Sequence, residues 1–249
     1  MYLVLKKSGL LEGLLLSNNE NITVIALGGS VIVSRKIQTD YLKRLRKFIV
    51  EEISKGKKFI IVAGGGSTAR NYQKAAETVV DIEDEDKDWL GIHSTRLNAH
   101  LLRTIFYDYA YPFVLDNPEK PIKERDFQKY ALFIASGWRP GWSTDYIAFR
   151  MAHRFNADKV VIATKIPYVY DKDISLHTDA SHFEKMTWKE YQNILPKNDW
   201  VPGMKSPVDP IATRFAIENG IKCVLLRGTN IRNLQSYFKG GDFKGTIIE

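Results

Sequence analysis

The chain has 249 residues, 44% of them hydrophobic and 26% charged, which is ample material for a sizeable core and ordinary for a globular protein. Its formal net charge of +7 favours anionic ligands. No Lys/Arg block and no aromatic-basic interleaving accompanies that charge, so a phosphorylated small molecule is the expected partner and nucleic acid is not.

The N-terminal stretch "MYLVLKKSGLLEGLLLSNN" sets lysines ahead of a leucine run, but Glu12 interrupts the run and no small-x-small cleavage pattern follows. The run is also too short to span a bilayer. Residues 1–21 read as an extension: an extra strand or helix, or an oligomer contact. "ITVIAL" (22–27) is a continuous β-type run that ends in Gly28-Gly29-Ser30. A helix is expected over 39–54, capped by Thr39 or Asp40, with Leu42, Leu45, Ile49 and Ile53 at helical spacing and Gly56 as its stop. "FIIVA" (59–63) is the next buried strand and ends in Gly64-Gly65-Gly66; the helix after it opens with Ser67 or Thr68 and carries Arg70. "DIEDEDKD" (81–88) reads as an acidic connector before a long helix at about 89–109, with Leu90, Leu97, Leu101, Leu102 and Ile105 along one side. "PFVL" (112–115) and "YALFIAS" (130–136) read as strands, and a helix near 144–155 follows the loop "GWRPGWSTD". Beyond it come a strand at 159–164, a short helix at 187–195, a helix at 209–220 with a glycine stop, and strands at 222–227 and 245–249. The one cysteine, Cys223, lies inside an apolar strand run. It cannot staple the fold, and it suits a reducing cytoplasm. Apolar strands alternating with helices give an α/β fold, a three-layer α/β/α sandwich with a mostly parallel sheet, over a single domain at 22–249.

Parallel sheets of this kind bind ligands at the carboxyl ends of their strands. Two strands here end in glycine clusters, where converging backbone N–H groups suit phosphate oxygens. Neither cluster is a Walker A motif or a GxGxxG fingerprint, and either alone is also what a tight strand-to-helix turn needs. Arg70 stands four residues past Gly66, within reach of the same anion or free in solvent. Asp88, Asp145 and Asp209 all fall at expected helix starts, where a carboxylate caps the helix. At Asp145 and Asp209 it also suits Mg²⁺ or a cation beside a transferring phosphate. No histidine pair, HExxH or cysteine pair has metal-ligand spacing, so no protein-only metal cage is assigned.

"IALGGS", "VAGGGSTAR", "DWLGIHSTRLNAHLL", "GWRPGWSTD", "ATKIPYVYDKD" and "PVDPIATRFA" follow one another in this order. Together they resemble the amino-acid-kinase superfamily and, within it, are similar to the archaeal-type branch of UMP kinases, over about residues 22–249. The resemblance implies an amino-acid-kinase-like fold and phosphoryl transfer from ATP to UMP with Mg²⁺, in pyrimidine biosynthesis. It implies a homo-oligomer, a hexamer in many members, acting in the cytoplasm without a membrane or nucleic acid partner. Gly28, Gly29, Gly66 and Arg70 match the donor phosphate site, and Thr164, Lys165, Tyr170 and Asp173 the rest of the ATP site. Gly65, Asp88 and the loop residues Trp138, Arg139, Gly141, Trp142, Ser143, Thr144 and Asp145 match the acceptor site. On this reading the loop wraps the acceptor: a tryptophan is a flat wall, the glycine amides and Arg139 approach phosphate, and Thr144 and Asp145 close the reacting end. The tryptophans otherwise pack under the loop or at a subunit contact. Asp209, Asp145 and Arg70 match the transfer centre. The sequence departs from the family at Ala26-Leu27, where many members carry a lysine before the glycine pair, and at Pro167-Tyr168, where they carry Asp-Gly. Lys165, Lys205 and Arg214 are the candidate substitutes for that cation. A non-catalytic nucleotide-binding or storage protein, and a kinase of another small acidic acceptor, are the competing readings.

Overall fold

The computed structural model describes residues 22–195 and 206–249; the extension at 1–21 and Lys205 lie outside them. In chain order the elements are β1 (Ile22–Leu27), α1 (Gly29–Ile32), α2 (Thr39–Ser54), β2 (Lys58–Ala63), α3 (Gly66–Val79), α4 (Asp84–Ile105), α5 (Glu124–Lys129), β3 (Leu132–Ala135) and α6 (Thr144–Arg154). They continue with β4 (Lys159–Thr164), β5 (Val169–Tyr170), β6 (His182–Phe183), β7 (Lys185–Met186), α7 (Trp188–Ile194), α8 (Pro210–Glu218), β8 (Lys222–Arg227), α9 (Ile231–Phe238) and β9 (Gly245–Ile248).

Seven strands form one sheet in the order β3-β2-β1-β4-β8-β9-β7. All neighbours run parallel except β8 and β9. A parallel sheet must be covered on both faces, and the alternation within β1 shows how. Val24 and Ala26 join a core with α6, α7 and α8, while Ile25 and Leu27 join the opposite core with α2, α4 and α9. The chain winds from β1 outward to β3, then returns to the other side of β1 with β4. That reversal between β1 and β4 is where open α/β sheets leave a crevice at their carboxyl edge.

Several boundaries differ from the sequence reading. The acidic run is no connector from Asp84 onward, because Asp84, Glu85 and Asp86 form the first turn of α4. Carboxylates there meet the positive end of the helix dipole. Residues 112–115 are not a strand. The chain bridges β3 in isolated pairs at Ala110 and Leu115, on either side of Pro112, which offers no N–H to a ladder. Leu97 faces out of α4 rather than into the core. α2 starts after Gln38 with no side-chain cap, and α3 starts at Gly66, before Ser67. The elements α1, α5, β5, β6, β7 and α9 have no counterpart in the sequence reading. No helix among the described residues is long and apolar enough to cross a membrane.

Candidate functional site

The loops that follow β1, β2, β3 and β4 converge at the carboxyl edge of the sheet, around a cleft of about 550 Å³. Its floor is two glycine turns set backbone to backbone. A Cβ at Gly29 would stand 2.0 Å from the Gly66 amide nitrogen. Gly66 has φ +68°, and a Cβ there would meet the Gly29 carbonyl oxygen at 2.4 Å. Only glycine allows both the left-handed backbone and this approach. Gly28 donates to the Ala163 carbonyl at 2.9 Å, which ties the first turn to β4. Arg70, exposed and one turn beyond Gly66, lines the cleft, as does the exposed Lys165 after β4.

The opposite wall comes from the 137–145 loop. Asp88 does not cap α4. It lies in the second turn, and its carboxylate accepts the Gly141 N–H at 2.7 Å. Burial raises its pKa, an effect the Gly141 hydrogen bond opposes. Trp142 lines the cleft, whereas Trp138 packs edge-on against it, 4.9 Å between centroids, and onto the core. The exposed Arg139 guanidinium lies over both rings at 4.5 and 4.4 Å, and Arg150 lies over Trp142 at 5.2 Å. Trp142 is therefore less a bare wall than a seat for two cations at the mouth of the cleft.

Ser143 caps α6 and accepts the Tyr146 N–H at 2.9 Å. The same hydroxyl donates to Asp209, which caps α8 by accepting the Ile211 and Ala212 N–H groups at 2.9 and 3.0 Å. Two helix starts are thus fastened together, with Thr144, Asp145 and Asp209 all facing the cleft. Behind Asp209, the buried Tyr191 hydroxyl donates to the Val208 carbonyl at 2.8 Å and accepts the Val208 N–H at 2.7 Å. Burial and the neighbouring Asp209 charge push the Asp145 carboxyl up to about 8, although part of the residue still faces the cleft. Burial also raises Asp209, against its hydrogen bonds and the pull of the nearby Arg214 charge. Ala26 is buried within β1, so no cation reaches the pair from that strand.

The cleft therefore gathers Gly29, Gly65, Gly66, Arg70, Asp88, Trp142, Ser143, Thr144, Asp145, Lys165 and Asp209. It leaves Gly28, Thr164, Trp138, Arg139 and Gly141 beside its lining. Tyr170 sits on the β5–β6 ribbon, where the Tyr168 and His182 rings pack tilted at 4.2 Å between centroids, and Asp173 follows in a turn that holds Ser175. Ser30, Thr95 and Gly137, which lie inside the quoted motifs without an assigned role, and Gln73 and Ser206, which lie outside them, also line the cleft. A second cleft of about 420 Å³ is bounded by Arg96, His100 and the 111–122 segment. It has no glycine turn and no carboxylate pair. Among the described residues, no group of three or more His, Cys, Asp or Glu gathers to hold a metal.

The model of the amino acid kinase family matches residues 21–227. The chain is similar to the uridylate kinase of Methanococcus vannielii, 33% identical over 226 residues that cover 90% of this chain and 98% of that protein. It is likewise similar to the uridylate kinase of Thermococcus onnurineus, 31% identical over 91% of this chain and 98% of the relative. Among solved structures, uridylate kinase from Archaeoglobus fulgidus superposes with a TM-score of 0.76 at 27% identity, covering 92% of this chain and all of that one.

Proposed function

This chain belongs to the amino acid kinase family, and on that premise we propose that it transfers the γ-phosphoryl group of ATP to UMP, giving ADP and UDP. The observation that carries the reading is the cleft itself: a glycine floor with Arg70 and Lys165 faces the Trp142–Asp145 wall across the Asp145–Asp209 pair. Transfer between phosphates asks for in-line positioning and charge neutralisation rather than covalent help from the protein. The acceptor phosphate is already ionised, so no general base is needed.

On this reading the Gly29 and Gly66 turns, with Arg70, hold the donor phosphates, and Lys165 supplies the cation that Ala26 does not. Asp88 and the loop meet the acceptor nucleoside, and Thr164, Tyr170 and Asp173 the donor nucleoside. The donor set fits Mg²⁺, which takes one or two carboxylates together with substrate phosphate oxygens; Asp145 and Asp209 would hold it. When bound, it neutralises charge on the phosphates. Exposed apolar side chains, among them Tyr72 and Val79 on α3 and Leu97 on α4, offer a surface for the homo-oligomer. Light scattering would read its mass.

A coupled assay of ADP release with UMP, CMP, AMP and GMP tests the function, with UMP expected to be the preferred acceptor. Ala26 favours the competing reading of a nucleotide-binding protein without turnover; ATP binding with no ADP release for any acceptor would establish it. Replacing Trp142 with alanine unseats Arg139 and Arg150 from the acceptor side. It is expected to raise KM for UMP by about tenfold, the equivalent of ~1.4 kcal/mol, and to leave KM for ATP nearly unchanged. An equal rise for both nucleotides would remove Trp142 from the acceptor side.

A further inference from the structure

Helix α4 touches both halves of the cleft through two side chains one turn apart. Asn98, 2% exposed, donates its amide to the Gly64 carbonyl at 2.7 Å and to the Gly65 carbonyl at 3.1 Å. Both carbonyls are thereby turned towards α4, in the glycine turn whose Gly66 belongs to the donor floor. Thr95, 6% exposed, accepts the Gly137 N–H at 2.8 Å, where the acceptor loop leaves β3, and donates to the Ile92 carbonyl at 2.6 Å. A hydroxyl has one proton to give, and that proton is committed to helix backbone. The space around Gly137 is equally set, since a Cβ there would stand 3.0 Å from the Thr95 oxygen.

Positions i and i+3 lie on one helix face, so the two loops hang from neighbouring points on a single rigid element. We propose that Thr95 and Asn98 are positioning residues that together fix the separation of donor and acceptor loops. Thr95 borders the cleft but has no proton left to give a phosphate, and Asn98 is not among the residues that line it. Phosphoryl transfer requires the reacting atoms to meet at about 3–3.5 Å in line, and a shift of about 1 Å costs on the order of a hundredfold in rate. Two buried polar side chains facing two loops therefore act on kcat rather than on the affinity of either nucleotide.

The proposal rests on reading the cleft as a donor–acceptor site, and its test keeps the two apart. Thr95→Val preserves shape and removes both hydrogen bonds; Thr95→Ser restores them. The valine variant is expected to lose roughly tenfold to a hundredfold in kcat, with KM for ATP and for UMP each within about threefold of wild type. The serine variant is expected to recover most of that loss. A valine variant with kcat unchanged, or a serine variant as slow as valine, overturns the proposal. Asn98→Ala carries the same test from the other loop should the valine variant fail to fold. In the double variant one positioning unit gives a kcat no lower than the worse single, whereas a multiplicative loss shows two independent effects and overturns the unit. Hydrogen exchange at the Gly137 amide is read without nucleotide and must be faster in Thr95→Val; unchanged exchange overturns the proposal whatever the kinetics. Faster exchange in a protein whose wild type does not turn over UMP leaves the positioning role standing and removes UMP as the acceptor.

Discussion

Asp209→Asn is expected to fold normally and to lose turnover by roughly a hundredfold or more. The two effects separate because the carboxylate does two jobs. One oxygen caps α8 through the Ile211 and Ala212 N–H groups, and an asparagine oxygen caps about as well. The other oxygen accepts from Ser143, and the amide of asparagine can instead donate to that hydroxyl, which already accepts from Tyr146. The cost is one hydroxyl proton left without its partner, on the order of 1 kcal/mol. For a chain of this size that moves the melting temperature by about 2–4 °C. Losing the charge acts in the same direction as burial, which already disfavours an ionised Asp209. What the variant lacks is a fixed negative charge between the glycine floor and the 137–145 loop, where on the proposed function cations gather around the moving phosphoryl group. Preorganised charge at such a centre is worth on the order of 3 kcal/mol of barrier. Steady-state kinetics together with thermal unfolding decide the matter. Turnover equal to wild type in a folded variant would make Asp209 a helix cap and nothing more.

How far the sequence reading reached depended on where each feature keeps its partners. Runs such as "ITVIAL" and "KVVIAT" declare buried parallel strands because nothing polar interrupts them, and β1 and β4 have those very bounds. The carboxylates at Asp145 and Asp209 were visible because each opens an apolar helical pattern. For Asp88 the sequence left a helix cap open beside a place at the acceptor, and the cap does not form because its partner is the Gly141 amide, 53 positions away. Thr95 and Asn98 lie inside the quoted motif "DWLGIHSTRLNAHLL", but nothing local to the helix assigned either one a role, because the glycines they hold lie 42 and 34 positions away in sequence. The tryptophans announced an unusual loop, but their engagement by Arg139 and Arg150 needs the loop's three-dimensional course. α9 carried a readable pattern in "IRNLQSYF" behind the Asn230 cap, and its length of eight residues hid it among turns.

Asp145 ties activity to stability with opposite signs. Its carboxyl titrates at about 8, against 3.8 in an unconstrained chain, because protein surrounds it and Asp209 adds negative charge. Between those two values the folded protein binds the proton more tightly than the unfolded chain does. Stability therefore falls as pH rises from about 4 to about 8 and levels off above it. Asp209 and Asp88, also raised, slope the same way. Glu52 and Glu249, held low by their lysines, act at more acid pH and leave the upper window to the cleft. Activity runs in the other direction. On the proposed function an ionised Asp145 is the form that would hold a cation beside the phosphates, so kcat/KM, which reports the free enzyme, should rise through pH 8. The phosphate of the acceptor titrates near 6, so the substrate's own ionisation makes a separate, lower step. Asp145→Asn is expected to abolish the upper step, to lower turnover by about a hundredfold and to flatten the stability slope, leaving the variant more stable than wild type at pH 8. Denaturant midpoints at pH 5, 7 and 9, set beside pH–rate profiles of both proteins, read the two signs at once. A wild-type profile flat above pH 7, or a variant less stable at pH 8, would show that Asp145 is already ionised in the free cleft. The cation that balances it would then have to be found among Lys165, Arg70 and Arg214.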